Sequence, residues 1–281
     1  TGGTGNVGLG SGALGTAITT GTDNVAIGDS AMDAVTTGSD NTAVGDNALT
    51  AATTGERNVA VGSLALDADT TGDRSVAVGY GALSDQNFTG GEDTKNVAVG
   101  YQALTQNTTG VTNTGIGYQA LYANTTGGTN TAVGSSALLD NTTGQHNTAI
   151  GEEALANNTT ADGNTSIGRN SMNANITGAN NTAVGRNALD GSTTADNNVA
   201  VGYAALGAST TADGNTAVGY QAGAANTTGT ENVFIGLDAG TAVTTGAGHV
   251  FVGWKAGDAV TTASQSTAIG DQALSAASTG S

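Results

Sequence analysis

Cysteine and proline are absent from this sequence, and aromatic residues are few: six tyrosines, three phenylalanines and one tryptophan. Without cysteine the chain can form neither a disulfide framework nor a thiolate metal site. With so few large side chains it cannot build the bulky core of an ordinary globular domain. The absence of proline suits a backbone whose N–H groups are nearly all needed in hydrogen-bonded ladders.

Basic residues are scarce as well, six against 23 acidic residues, which gives a formal net charge of −17. Nucleic acid is therefore not expected as a partner, because a phosphate-binding surface needs clustered Lys and Arg. No apolar run approaches membrane-spanning length, so this segment is not expected to insert into a membrane. No signal peptide is recognisable. The chain begins and ends inside its own repeat, and we expect it to be a fragment of a longer fibre protein.

What the sequence does contain is a 17-residue repeat, T-G-x-x-N-[TV]-A-[VI]-G-x-x-A-L-x-x-x-T. We number its positions 1 to 17 from the Thr of T-G. The glycine at position 9 marks each copy, and these glycines are 17 or 18 residues apart except for one step of 21: Gly10, Gly28, Gly45, Gly62, Gly79, Gly100, Gly117, Gly134, Gly151, Gly168, Gly185, Gly202, Gly219, Gly236, Gly253 and Gly270. Such a short period predicts one stacked array over residues 1–281, with an irregular corner and an insertion at 85–95.

The repeat predicts an all-β fold. Positions 6 to 8, such as Val59-Ala60-Val61, are β-branched, small and β-branched, which is typical of a short strand. The Ala-Leu pair at positions 12 and 13 predicts a second short strand. Gly, Thr, Asn and Val are poor helix formers. We therefore expect a parallel β-solenoid, or β-roll, of about sixteen coils, which is roughly 75 Å long at about 4.8 Å per coil.

Position 5 is asparagine in thirteen of the sixteen repeats, Asn41 and Asn58 among them. In a stack of coils these side chains are expected to form a ladder in which each amide bonds the next. The alternative is a calcium site, but calcium-binding β-rolls need Asp in a G-G-x-G-x-D frame, which is absent. We expect no metal and no cofactor.

The strand pattern also bears on assembly. Positions 6 and 8 point to one face of the strand and position 7 to the other, and neither face carries charge. A slender coil has one interior, so the second uncharged face predicts a partner. The simplest partner is the chain itself, and we expect a homo-oligomeric rod.

Two phenylalanines indicate which positions share the packed interior. Position 7 is small except at Phe234 and Phe251, and position 13 is Leu or Met except at Gly223, Gly240 and Gly257. A Phe that appears where Leu is lost indicates conserved volume. We predict that Phe234 and Phe251 are structural packing residues whose rings fill the space that Leu fills elsewhere.

No catalytic residues are predicted. The only two histidines, His146 and His249, are six repeats apart, which is about 29 Å by ladder spacing. The G-x-G strings adjoin no helix, so a phosphate-binding loop is not supported. We expect this chain not to be an enzyme.

Segments such as Asn58 to Gly62, N-V-A-V-G, and Asn147 to Gly151, N-T-A-I-G, resemble the head repeats of trimeric autotransporter adhesins of the YadA type. The string from Asn96 to Gly110 is similar to repeats of bacteriophage tail fibres and related surface fibres. This resemblance implies parallel β-rolls in an intertwined or side-by-side homotrimer, located outside the cell on a cell surface or virion fibre. It also implies adhesion, with a host-surface glycan or protein receptor as partner. The 17-residue repeat is longer than the usual head repeat, and no neck, stalk or anchor is present.

Two surface features are candidates for ligand binding. Position 10 carries a column of aromatic residues that could bind a sugar or a protein receptor: Tyr80, Tyr101, Tyr118, Tyr203, Tyr220 and Trp254. The alternative is that these rings stack on one another only to stabilise the sheet. The insertion is expected to protrude as a loop, where binding residues often lie: Asn87, Phe88, Glu92, Asp93 and Lys95.

The function predicted from the sequence is a structural or adhesive segment of an extracellular fibre, a rigid rod for surface attachment or receptor binding. One alternative is an ice-binding, threonine-rich solenoid, although adjacent Thr residues on a strand would point to opposite faces. Another is a self-assembling extracellular filament subunit. The N-x-T sequons at Asn107, Asn124, Asn141, Asn158 and Asn226 are interpreted as products of the repeat.

Overall fold

The computed structural model describes residues 3–15 and 18–276, so the outermost residues of the expected array lie outside the description. The chain divides into two compact units, residues 1–143 and 144–281. Each unit contains eight three-residue strands, and no helix occurs among the described residues. The strands of the first unit are β1 (Val7–Leu9), β2 (Val25–Ile27), β3 (Thr42–Val44), β4 (Val59–Val61), β5 (Val76–Val78), β6 (Val97–Val99), β7 (Thr114–Ile116) and β8 (Thr131–Val133). Those of the second are β9 (Thr148–Ile150), β10 (Thr165–Ile167), β11 (Thr182–Val184), β12 (Val199–Val201), β13 (Thr216–Val218), β14 (Val233–Ile235), β15 (Val250–Val252) and β16 (Thr267–Ile269).

Within each unit, consecutive strands pair in parallel and in sequence order. Equivalent repeat positions lie opposite each other, as in Thr42 with Val59 and Val44 with Val61. One strand and one return path make each coil, so both units are parallel β-solenoids. The predicted fold class is confirmed at this level, and so is the position of the strand at repeat positions 6 to 8.

The second strand predicted at the Ala-Leu pair is wrong. Positions 10 to 14 form a turn in which positions 11 and 13 have a left-handed backbone, with φ of 54° at Asn47 and 53° at Leu49. This turn sends its N–H groups in alternate directions. Asn47 donates to the Asp29 carbonyl of the coil before at 2.9 Å, and Leu49 to the Ala65 carbonyl of the coil after at 2.9 Å. A left-handed Leu costs about 1–2 kcal/mol, which burial of the side chain and the hydrogen bond between coils offset.

The interior is narrow and built mostly from small side chains. Ala at positions 7 and 12 and Leu at position 13 point inward and are fully buried, as at Ala43, Ala48 and Leu49. Positions 6 and 8 point outward and remain partly exposed, as at Val59 and Val61. Each strand therefore has one face in the interior and one on the surface of the chain.

The glycine at position 9 sets how closely the coils stack. Gly45 has a φ of 143°, a conformation that L-residues rarely adopt. A Cβ at this position would lie 2.5 Å from the carbonyl oxygen of Gly62 in the next coil. No side chain fits there, which explains the regular recurrence of this glycine.

Candidate functional site

The asparagines of position 5 form a buried column along the interior, as predicted. The Asn41 Oδ1 atom accepts a hydrogen bond from the backbone N–H of Asn58 at 2.9 Å, and Asn41 Nδ2 donates to the Gly55 carbonyl at 2.8 Å. The same two bonds recur along the chain, for example at Asn164. Each side chain therefore binds the next coil twice, and we call this set the position-5 column.

A second buried column lies at position 16, and the sequence interpretation missed it. Asn124 Nδ2 donates to Asn107 Oδ1 at 2.7 Å and also to the Gly127 carbonyl at 2.9 Å. That carbonyl accepts a second bond from Asn113 of the position-5 column at 2.8 Å. The signal was present in the sequence as N-T-T-G, which reads as a glycosylation sequon. These asparagines are fully buried and their amides are engaged, so the folded chain cannot present them to a glycosyltransferase: Asn107, Asn124, Asn141, Asn158, Asn175 and Asn226.

His249 replaces asparagine in the position-5 column and makes equivalent hydrogen bonds. Its Nδ1 accepts the backbone N–H of Ser266 at 3.2 Å, and its Nε2 lies 2.7 Å from the Ala263 carbonyl. These partners assign the neutral tautomer with hydrogen on Nε2. The ring is buried and stacks on Phe251 at 4.7 Å between centroids. His249 thus serves the interior, whereas His146 is exposed at position 4.

A buried polar network adapts both columns to the insertion. Gln86 Nε2 donates to Asp69 Oδ2 at 2.6 Å and to Ser75 Oγ at 3.0 Å, and Gln86 Oε1 accepts from Asn96 Nδ2 at 2.8 Å. Gln86 therefore links Asn96 to a coil in which Ser75 is too short to continue the position-5 column. Burial raises the pKa of Asp69, although hydrogen bonds from Gln86 and from the backbone N–H groups of Phe88 and Gly72 oppose the rise.

The insertion protrudes only in part, which corrects the prediction for Phe88. That side chain is 6 % exposed, and its carbonyl accepts hydroxyl protons from Thr70 and Thr71 at 2.7 Å each. The insertion is held against the solenoid at Phe88 because the ring is buried and Asp69 accepts the backbone N–H of Phe88. The predicted loop residues Asn87, Glu92, Asp93 and Lys95 are exposed. Asp93 forms ion pairs with Arg74 and Lys95, so the charges at the loop tip largely neutralise one another.

The aromatic residues at position 10 lie on the surface in two stacks. Tyr80, Tyr101 and Tyr118 stack with ring centroids 5.5 and 5.4 Å apart, and Tyr203 and Tyr220 stack at 5.1 Å. They are 37–52 % exposed. Because neighbouring rings cover each other's faces, the solvent meets mainly ring edges and hydroxyl groups. The columns offer hydrogen-bonding edges rather than the open ring faces on which a sugar ring stacks.

Charged side chains accompany the second aromatic stack. The Arg186 guanidinium lies 5.8 Å from the centroid of the Tyr203 ring, and Lys255 Nζ lies 5.2 Å from that of Trp254. Arg169 pairs with Glu152 at 3.2 Å between exposed side chains. In the second unit, position 10 therefore joins cationic and aromatic groups in one column.

Phe234 and Phe251 lie in the interior. Both rings are fully buried, with centroids 5.9 Å apart. A Cβ built on Gly223 would lie 2.5 Å from Phe234 Cδ2, and Cβ atoms on Gly240 and Gly257 would overlap Phe234 and Phe251 respectively. The rings thus occupy the room that Leu occupies in the other coils.

No group of three or more His, Cys, Asp or Glu in residues 3–15 and 18–276 is arranged to hold a metal ion. In the same residues, no helix is long and apolar enough to span a membrane.

The coil geometry and the amide columns define a class, the parallel β-solenoid repeat proteins. Comparison with protein-family models, with curated proteins and with solved structures finds no match to this chain. The surfaces of the solenoid that bear on function are the outer strand face and the aromatic columns of position 10.

Proposed function

We propose that this chain is a rigid segment of an extracellular fibre that associates with copies of itself through the outer face of its strands. The observation that carries the proposal is the composition of that face. Position 6 is Val or Thr and position 8 is Val, Ile or Leu in all sixteen repeats, with no charged residue at either. Several of these aliphatic side chains are more than a third exposed, Ile116 and Ile235 among them.

The net charge of the chain also favours the outer strand face as the interface between copies. With a net charge of −17, copies of the chain repel one another over most of their surface. The outer strand face avoids that repulsion, because positions 6 and 8 carry no charge, and it exposes aliphatic side chains that an interface can cover. A trimer, intertwined or side by side, agrees with the resemblance to adhesin head repeats and buries one such face per chain.

Rigidity supports the role of a fibre. Backbone N–H groups donate in both directions along each solenoid, as at Asn47 and Leu49, and two side-chain columns reinforce them in the interior. In the described residues, backbone N–H groups that are paired along the stack in this way resist local opening. This suits a spacer that carries a binding surface away from a cell or virion.

Charge placed on the proposed interface tests self-association. Ile116→Lys with Ile235→Lys puts one cation on the outer strand face of each unit, where each chain alone can solvate it. We expect light scattering to show a fall from the oligomer mass to that of a single 26.9 kDa chain. Thr126→Lys with Thr228→Lys is the matched control, since these exposed threonines lie at position 1. Equal masses for both variants would place the interface elsewhere.

Adhesion would use the aromatic columns of position 10. Their hydroxyl edges and the adjoining cations fit a polar receptor, either a host-surface glycan or a protein. Tyr101→Ala removes the central ring of the first stack and should abolish binding on a glycan array or to receptor-bearing cells. Retained binding by this variant and by Tyr220→Ala would place the binding surface outside the aromatic columns.

Ice binding is a second candidate function, favoured by one observation. Position 1 is Thr in fourteen repeats, and these side chains form an exposed column at a bend rather than on a strand, as at Thr109 and Thr126. The neighbouring Thr at position 17 donates its hydroxyl proton to the next coil, as Thr108 does to the Thr125 carbonyl at 3.0 Å. One exposed column of threonines is a weak template for ice. Thermal hysteresis measured on the purified chain decides between the two functions.

A further inference from the structure

The position-16 column changes its chemistry in the second unit. Asn158 and Asn175 continue the amide column, Ser192 and Ser209 follow in the next two coils, and Asn226 resumes it. All five residues are fully buried. Three of their polar atoms have no hydrogen-bond partner in the protein: Asn175 Oδ1, Ser192 Oγ and Ser209 Oγ.

The backbone does not close up around the shorter serines. The N–H groups of Asn175, Ser192, Ser209 and Asn226 all donate three residues back, at 3.1, 3.2, 3.0 and 3.0 Å respectively. Strands β11, β12 and β13 pair without a shift of register. Each Ser side chain therefore starts where an Asn side chain would start, but it is one bond shorter and has two fewer heavy atoms.

Other coils place an apolar side chain at position 16. Val35, Val243 and Val260 fill it in other coils and are buried. The two serines instead keep a hydroxyl in the interior, where an unpaired polar group is unfavourable. A polar partner of small size resolves this.

We propose that the position-16 column between Asn175 and Asn226 binds two water molecules, one beside each serine, which continue the hydrogen bonds of the missing amides. A water occupies about 30 Å³ and needs two to four polar partners in a buried site. The first water donates to Asn175 Oδ1 and bonds Ser192 Oγ, and the second bonds Ser209 Oγ and accepts from Asn226 Nδ2. The carbonyls of Ala195 and Ala212 stand at the positions that receive the amide in other coils, as Gly178 does from Asn175 at 3.0 Å.

Filling the site with amide groups tests the proposal. Ser192→Asn with Ser209→Asn should rebuild the amide column, expel both waters and slow amide hydrogen exchange in coils 175–226 about tenfold. Oxygen-17 magnetic relaxation dispersion counts long-lived internal waters, and it should report two fewer in this variant. Ser135→Asn is the control, because it makes the same change at an exposed position.

Ser192→Ala with Ser209→Ala provides the opposite change. It removes the serine partner of each water and so weakens the binding of both, and exchange in the same coils should become faster. The proposal is overturned if the Asn variant keeps the same water count, or if the Ala variant exchanges no faster than the natural chain. A high-resolution crystal structure that shows an ion with five or more oxygen ligands at Ser192 would overturn it as well.

Discussion

A single asparagine side chain provides both a hydrogen-bond acceptor and donors to the stack. Its Oδ1 accepts a backbone N–H from the next coil, and its Nδ2 donates to a carbonyl that would otherwise lie unpaired in the interior. Backbone ladders alone leave the corners of a coil with unmatched groups. The two asparagine columns supply partners at one corner, and this explains why the asparagines recur with the same period as the glycines.

Removal of one amide from the position-5 column should be costly. Asn164→Ala leaves the Asn181 N–H unpaired in the interior, and we expect the free energy of unfolding to fall by about 1–3 kcal/mol. Asn157→Ala removes an exposed amide from the preceding coil and should change the free energy of unfolding by less than about 0.5 kcal/mol. Denaturant unfolding, with hydrogen exchange to localise the effect, measures both. Equal losses would show that the column contributes no more than surface amides.

His249 offers a test of the column in a different side chain. Asn at this position can make the same two bonds as the imidazole, to the Ser266 N–H and the Ala263 carbonyl, whereas Ala can make neither. We expect His249→Asn to be at least about 1 kcal/mol more stable than His249→Ala. Thermal unfolding of the two variants measures the difference. If they are equally destabilised, the ring acts only by packing on Phe251.

At the scale of the coil, interior volume is conserved between neighbouring elements. Phe234→Ala should cost about 3–5 kcal/mol because it empties the space that the ring shares with Gly223 and Gly240. Gly240→Leu alone should also destabilise, since the ring already fills that room. Phe234→Ala combined with Gly240→Leu restores the pattern of the other coils, with Ala at position 7 and Leu at position 13. This double variant should recover part of the lost stability, because Leu already adopts the left-handed backbone at position 13 in other coils. A double-mutant cycle in denaturant measures the coupling, and simple additivity would contradict shared packing.

The coil that contains Asp69 should respond to pH. Burial raises the pKa of Asp69 above its ordinary value of 3.8, so the folded chain binds this proton more readily than the unfolded chain. The contribution of Asp69 to stability therefore rises as the pH falls from 7 toward 4. We expect the free energy of unfolding of the natural chain, minus that of Asp69→Asn, to increase over this range. Asp140→Asn, at an exposed position, corrects for the change in net charge, and a difference that shrinks on acidification would contradict the buried carboxyl.

The repeat predicted much of the structure of each coil, and the predictions that were wrong have physical causes. The glycine period and the Val-Ala-Val triplets located the strands, and the Phe and Gly exceptions located the interior layer. The turn at Leu49 was unpredictable from composition because leucine rarely adopts a left-handed backbone. Phe88 was expected to protrude because it lies in an insertion, but the Asp69 network is only visible once the coils are stacked. The position-16 column was not predicted because its asparagines lie in N-x-T sequences, which also match the glycosylation sequon.

At the scale of the whole molecule, the proposed function depends on surfaces that the single chain leaves open. Among the described residues, few buried side-chain polar atoms have no hydrogen-bond partner: Asn175 Oδ1, Ser192 Oγ and Ser209 Oγ at position 16, and one side-chain oxygen each of Asp67, Asn170 and Asp258. The outer strand face of each unit is left open, because uncharged side chains line it on an acidic chain, around Ile116 in the first unit and around Ile235 in the second. Self-association through that face is the central claim, and adhesion through the aromatic columns depends on a fibre that presents them.

Sedimentation equilibrium of the natural chain tests this claim most directly. The proposal predicts a mass three times that of the 26.9 kDa chain at micromolar concentration, unchanged in high salt because the interface is uncharged. A single-chain mass throughout the range from about 1 to 100 μM, concentrations at which even a modest interface is occupied, would contradict self-association and show that the chain is a monomer.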